Sequence, residues 1–161
     1  MKIYLAGPLG FSEAGRRFLD QVLLPRLTRL GHIPVDPFSL TAKSQLRRAN
    51  NLRSAEKRKS EWQRLNIVIA RNNVAAIDAC DAVFAILDGP DVDSGTAAEI
   101  GYAFAKRKPI LGYRNDFRLS ADNEGAKVNL QVEYFIRQSG GDIIEKVAEI
   151  GQALRKMRAR L

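Results

Sequence analysis

The run Asp81-Ala82-Val83-Phe84-Ala85-Ile86-Leu87, continuing as Asp88-Gly89-Pro90-Asp91-Val92-Asp93-Ser94-Gly95-Thr96-Ala97-Ala98-Glu99-Ile100-Gly101-Tyr102-Ala103, decides the reading of this chain. Its first part is apolar enough to be a strand covered on both faces, and such strands belong to parallel sheets. Asp88, Asp91 and Asp93 follow at the carboxyl end of that strand, among the structure-breaking Gly89, Pro90 and Gly95. Ser94 or Thr96 is then expected to cap a helix whose first turns carry Glu99. Open α/β sheets hold their ligands at the carboxyl ends of the strands. An acid held there feels the positive end of the helix dipole, which favours its anion. The same letters allow a plainer reading, because Thr96-Ala97-Ala98-Glu99 fits a capping box in which Glu99 bonds back to the Thr96 amide. Asp91 and Asp93 also suit turns in which their side chains bond the backbone.

Outward from this stretch, strands and helices alternate. Lys2 to Ala6 reads as a first strand, and Ser12 to Leu30 as an amphipathic helix with Phe18, Val22 and Leu23 on one side, interrupted or kinked at Pro25. Gly31 ends it, and His32 to Val35 gives a short second strand closed by Asp36-Pro37. A helix is expected over Asn66 to Ala79, then the Asp81–Leu87 strand, the Glu99 helix to about Lys106, and a fourth strand over Pro109 to Tyr113. Arg114 to Lys127 is a polar loop at another carboxyl edge, Asn129 to Ile136 fits helix or strand, and Asp142 to Arg160 is expected as a closing helix. Alternation with short links predicts an α/β, doubly wound sandwich with a mainly parallel central sheet of four to five strands. One domain over 1–161 is the expectation for 161 residues.

Composition narrows the classes. The net charge of +8 is concentrated, since Lys43 to Arg71 holds nine Lys or Arg against Glu56 and Glu61. Such a run is expected as a solvated helical face with pairs such as Lys57 and Glu61. It lacks the aromatic interleaving that stacks bases, Trp62 reading as a packing anchor, so nucleic acid is not the expected partner. The single cysteine, Cys80, sits in an apolar-periodic segment and is expected buried, which fits a reducing cytoplasm. No stretch approaches the roughly 20 apolar residues of a membrane span, and the start reads as strand and turn rather than signal peptide. His32, the only histidine, has no nearby Cys or His to share a metal. Neither metal nor cofactor is expected.

Familiar phosphate sites and nucleophile elbows are missing. The first turn, Ala6-Gly7-Pro8-Leu9-Gly10-Phe11-Ser12, matches neither a dinucleotide-binding G-x-G-x-x-G nor a P-loop. No G-x-S-x-G accompanies the lone histidine. Carboxylate chemistry remains.

Three motifs then carry a resemblance: Lys2-Ile3-Tyr4-Leu5-Ala6-Gly7-Pro8, Asp93-Ser94-Gly95-Thr96 with Glu99-Ile100-Gly101-Tyr102-Ala103, and Val128-Asn129-Leu130. In this order and at these spacings the chain resembles the nucleoside 2-deoxyribosyltransferase family from Lys2 to about Ile136, least so over Lys43 to Arg64. The resemblance implies a flavodoxin-like fold and transfer of a 2-deoxyribosyl group between nucleobases through a covalent glycosyl-enzyme. It places the nucleophile on Glu99, the hydroxyl that orients it on Tyr4, and a base-contacting acid that assists proton transfer on Asp93. It implies Asn129 as a group lent by a neighbouring subunit, hence a homo-oligomer with shared active sites. Asn73 stands where some members carry a second base-contacting aspartate. Gly7, Asn73, Asp88, Gly95 and Asn129 are the expected substrate-binding positions, with 2-deoxynucleosides and free nucleobases as partners.

The chemistry has its own logic. Breaking an N-glycosidic bond leaves positive charge at the anomeric carbon and negative charge on the base, so a carboxylate is needed beneath the sugar and a proton donor near the base. A related alternative is an N-glycoside hydrolase of nucleosides or nucleoside monophosphates. The first turn has no cation before Arg16 to grip a phosphate, although Arg114, Arg118 and the basic segment are candidates from elsewhere. A third class is a non-catalytic module that binds nucleotide or RNA through the basic segment. Phe11, Phe38, Tyr102, Tyr113 and Tyr134 are expected mainly as core, with a base pocket as the other possibility.

Overall fold

Strand β1 (Lys2–Ala6) lies at the centre of one sheet with β2 (Ile33–Val35), β3 (Ala82–Ile86), β4 (Ile110–Tyr113) and β5 (Ile143–Ile144). The computed structural model describes residues 1–159. All four pairings are parallel and the order is β2-β1-β3-β4-β5. That is the flavodoxin-like order, whose direction of winding reverses between β1 and β3 and opens a crevice there. Register sets Tyr4 beside Val83 and Ala6 beside Ala85.

Alternation along the strands divides the core in two. Tyr4, Ala6, Val83, Ala85 and Leu87 face α4 (Ala55–Ala79), α5 (Ser94–Ala105) and α6 (Leu130–Gln138) through Ile77, Ile100, Ala103, Val132 and Ile136. Ile3, Leu5, Phe84, Ile86 and Leu111 face the other way, onto Leu19, Leu23 and Leu27 and onto Ile150, Leu154 and Met157 of α7 (Ile150–Arg158). Each large side chain fully buried in this way stabilises the fold by about 1.5–3 kcal/mol.

Several expected elements are redrawn. The first helix is interrupted just before Pro25, as expected, though by a change of winding rather than a break: α1 (Glu13–Phe18) passes through one π turn over Leu19–Leu23 into α2 (Leu24–Arg29), with Leu24 N–H reaching back to Leu19. The wider turn absorbs the N–H that Pro25 lacks. The buried stripe is Leu19, Leu23 and Leu27, spaced by four, while Val22 is exposed. Helix α3 (Lys43–Asn50) is additional, and α4 starts at Ala55, with Ser54 as its cap, rather than at Asn66. Its Lys, Arg and Glu residues are good helix formers, so the charge run and the apolar run make one helix of 25 residues. Glu61 pairs with Arg64 at 2.8 Å, not with Lys57. Asn129 to Ile136 resolves as helix α6, capped by Asn129. The expected closing helix is instead β5, a 3-10 turn and α7; Arg160, its expected end, lies outside the described residues.

Candidate active site

Glu99 sits in the second turn of α5 and points across the sheet's crevice. Tyr4, fully buried in β1 on the face that α5 covers, donates its hydroxyl to Glu99 Oε1 at 2.6 Å. Asn73, in the last turns of α4, donates Nδ2 to the same oxygen at 3.4 Å. Two donors on Oε1 fix the carboxylate, and Oε2 accepts no hydrogen bond among the described residues. The capping-box alternative is therefore overturned. Asp93 is the cap, its Oδ1 accepting from Thr96 N at 2.9 Å and Thr96 Oγ1 at 3.0 Å, in place of the expected Ser94 or Thr96.

Charge at this site is opposed rather than favoured. Burial pushes the Glu99 carboxyl above its ordinary range, the Tyr4 hydroxyl pulls it partly back, and the Asp93 charge adds to the rise. The expected help from the helix dipole does not decide the balance, because that effect fades beyond the first turn. Tyr4 is driven well above the usual phenol by burial and by the hydrogen bond and charge of Glu99, so it remains a donor.

A cavity of about 400 Å³ opens over this carboxylate, within the ~300–1,000 Å³ usual for small-molecule sites. Gly7 and Gly10 after β1, Phe38 after β2, and Asp93 and Gly95 after β3 line its base and sides. Leu46 of α3 and Trp62 and Ile69 of α4 supply an apolar wall. Asp36 shapes the Phe38 corner by accepting from the Phe38 amide at 3.0 Å, and Phe11 meets the Phe38 ring edge-on at 5.1 Å. Gly10 is required by close approach, since a Cβ there falls 2.4 Å from the Phe38 ring. Trp62 is thus a wall of the cavity rather than only a packing anchor, and Phe11 and Phe38 belong to the cavity rather than the core. Their signal was weak in sequence because lone aromatics in loops and on a charged helix carry no period. Tyr102 bonds Asp78, and Tyr113 stacks on Phe84; neither lines the cavity.

Other expected positions lie elsewhere. Asp88 Oδ1 accepts from the amides of Asn115 and Asp116 at 2.6 and 2.9 Å, joining two loops outside the cavity. Asn129 caps α6 through Oδ1 and is not among its own chain's lining residues. Arg114 is buried and donates to the carbonyls of Leu87, Gly89 and Arg118, while Arg118 is paired with Asp116; neither is free to grip a phosphate. Arg16 is held by Asp20 and Asp36. Among the described residues no Lys, Arg or His lines the cavity, and no three of His, Cys, Asp and Glu converge as a metal site.

The family model for nucleoside 2-deoxyribosyltransferases matches residues 3–131. The chain belongs to that family. Among solved structures, this chain is similar to a conserved protein of Enterococcus faecalis V583 (TM-score 0.68, 25% identity, covering 100% of this chain and 99% of that one). It is similar in fold to a 2-deoxyribosyltransferase of Leishmania mexicana (0.63, 24%, 99% and 99%) and to the CMP N-glycosidase BcmB of Clostridium botulinum (0.54, 20%, 96% and 98%). An uncharacterized protein of Schizosaccharomyces pombe, C191.05c, is 31% identical over 84 residues, which are 50% of this chain and 36% of the yeast protein. The family model shows the family, and the solved structures show the fold. No described helix of this family member is long and apolar enough to cross a membrane.

Proposed function

We propose that this protein transfers a 2-deoxyribosyl group from one nucleobase to another by two displacements at the anomeric carbon. The observation that carries the reading is the Glu99 carboxylate, fixed through Oε1 by Tyr4 with Oε2 unpartnered among the described residues, beneath a largely apolar cavity whose described lining includes no Lys, Arg or His. Glu99 Oε2 attacks C1′ as the C1′–N bond breaks, and the bond's electron pair leaves with the base. Asp93, with only Oδ1 engaged as the helix cap, acts in its carboxylic-acid form: it gives its proton to the departing base, becomes the carboxylate, and takes a proton back from the incoming base. The second base then attacks C1′, restoring Glu99 and the original configuration.

The apolar wall of Phe11, Phe38, Trp62 and Ile69 suits a planar uncharged base. Asn129 is assigned to the site of a neighbouring subunit in a homo-oligomer, which accounts for its place outside its own chain's cavity. Chromatography of the protein with deoxyinosine or thymidine, with and without adenine, tests the proposal. Deoxyadenosine that forms only with adenine present and is abolished in Glu99→Ala is the expected result. Release of free base without a new nucleoside replaces transfer by hydrolysis, and turnover that survives Glu99→Ala removes the nucleophile assignment.

A further inference from the structure

The cavity is polar at one end only. Asp93, Thr96 and Glu99 stand at the start of α5, Asn73 bonds Glu99 from the last turns of α4, and Thr41 is held by Asn72 beside it. No other polar side chain is found in the described lining. Trp62, Ile69 and Asn73 are spaced by seven and four residues and so share one face of α4. At the helical rise per residue, that face runs about 16 Å from Asn73 to Trp62. Glu61, next to Trp62, is held below its ordinary range by Arg64 and by Arg48 of α3, which brings α3 and its Leu46 to the Trp62 end. Leu46, Trp62 and Ile69 are half-buried and, among the described residues, pack against neither core, so their apolar faces serve the cavity. A direction for the ligand follows from the nucleophile, and here the argument rests on the reading of Glu99 given above. In-line attack by Oε2 sets the base on the far side of C1′, so the sugar takes the polar end and the outer edge of the base faces the apolar wall. A purine falls well short of that wall's length, and an amino group on its outer edge loses water there with no polar side chain to replace it.

We infer that the Leu46 and Trp62 end of the cavity is a compartment for an apolar substituent on the base, and that the site takes 2-deoxynucleosides of purines substituted on the exocyclic 6-nitrogen. A ring placed there stacks on Trp62 and removes the apolar surface of Leu46 from water. The step at C1′ is the one already described: the bond to Oε2 forms as the bond to the glycosidic nitrogen breaks, and the departing base keeps the electron pair and takes the Asp93 proton. The substituent lies away from the reacting nitrogen, so it acts through binding.

The test compares the 6-N-benzyl derivative of 2′-deoxyadenosine with 2′-deoxyadenosine itself as donors to hypoxanthine, following both loss of donor and formation of deoxyinosine. Wild type is expected to consume the benzyl compound with a kcat/KM about tenfold or more above that of 2′-deoxyadenosine. Leu46→Asn and Trp62→Ala each lower that ratio several-fold, whereas Leu46→Met, which keeps an apolar wall, retains it. Because the ratio is taken within one preparation, a partly unfolded variant does not alter it. A wild-type ratio at or below one, or a ratio unmoved in both Leu46→Asn and Trp62→Ala, overturns the inference while leaving Glu99 in place. Donor loss without deoxyinosine replaces transfer by hydrolysis, and the same ratios, read on donor loss, then support or overturn the compartment. Turnover of neither donor, or turnover that survives Glu99→Ala, overturns the reading of the site beneath it and this inference with it.

Discussion

Burial and the Asp93 charge both oppose ionisation of Glu99, so the native protein holds a proton there more tightly than the unfolded chain. With a raised native pKa, the stabilising contribution of this group is fully present below the unfolded value of about 4.3 and is lost as pH rises through the native value. At neutral pH the ionised Glu99 carboxylate is therefore a net cost to folding. Glu99→Gln keeps the shape and the acceptor for Tyr4 but removes the charge. It is expected to raise Tm at pH 7 while reducing turnover by on the order of 10³-fold or more; the Tm gain should shrink towards pH 4. Thermal melts across that range check the sign, and a gain that grows on acidification would contradict it. Asp93 separates in the same manner. Asn is as good a cap as Asp, so Asp93→Asn should leave stability within a few tenths of a kcal/mol, whereas Asp93→Ala should cost about 1 kcal/mol. The same Asp93→Asn change removes a neighbouring charge and shifts the acid limb of the rate profile to lower pH, while slowing departure of poor leaving bases; an unmoved limb and equal rates across bases would leave Asp93 as a cap alone.

At the scale of elements, Arg114 has a structural task. From the end of β4 its guanidinium binds the carbonyls of Leu87 and Gly89 beyond β3 and of Arg118 in its own loop. Each carbonyl left unpaired in a buried place costs about 1–3 kcal/mol. With only the Leu87 carbonyl fully buried, Arg114→Ala is expected to destabilise by about 1–3 kcal/mol, and Arg114→Lys to recover only part of it, because a lysine lacks the fork that spans these acceptors; denaturant titration measures both. Strands β1, β3 and β4 were legible in sequence because continuous apolar runs bounded by Gly, Pro and Asp have few other uses. Strand β5 has two residues, Ile143 and Ile144, too short for any period, and it was absorbed into the helix that follows. The site was legible in the same uneven way. Glu99 and Asp93 lie in a sharply punctuated strand, turn and helix, and Asn73 was singled out by the family resemblance alone, whereas Phe11, Phe38 and Leu46 reach the cavity from a 3-10 turn, a second 3-10 turn and a helix of eight residues. Gly10 shows what such a contact demands. In Gly10→Ala the added Cβ must displace the Phe38 ring, so KM for the nucleoside should rise several-fold with kcat less affected.

For the whole molecule, charge and cavity pull in opposite directions. The segment from Lys43 to Arg71 carries most of the net +8, and its helices α3 and α4 bring Leu46 and Trp62 to the cavity. A positive field of this kind raises the encounter rate of any anion and weakens with salt over a Debye length of about 8–10 Å. Holding a phosphate in the cavity is a different matter, because that needs a donor fork or a cation in contact, and among the described residues the lining has no Lys, Arg or His. Arg16, Arg114 and Arg118 near the sheet's carboxyl edge are already engaged. The field alone therefore does not select a nucleotide. Deoxyadenosine is expected to exceed deoxyadenosine 5′-monophosphate in kcat/KM by about tenfold or more at physiological ionic strength, with the nucleoside's value insensitive to added salt. A monophosphate that proves the better substrate, and loses its advantage as salt is raised, would show that α3 and α4 supply the phosphate grip and would move the protein to the nucleotide N-glycosidases.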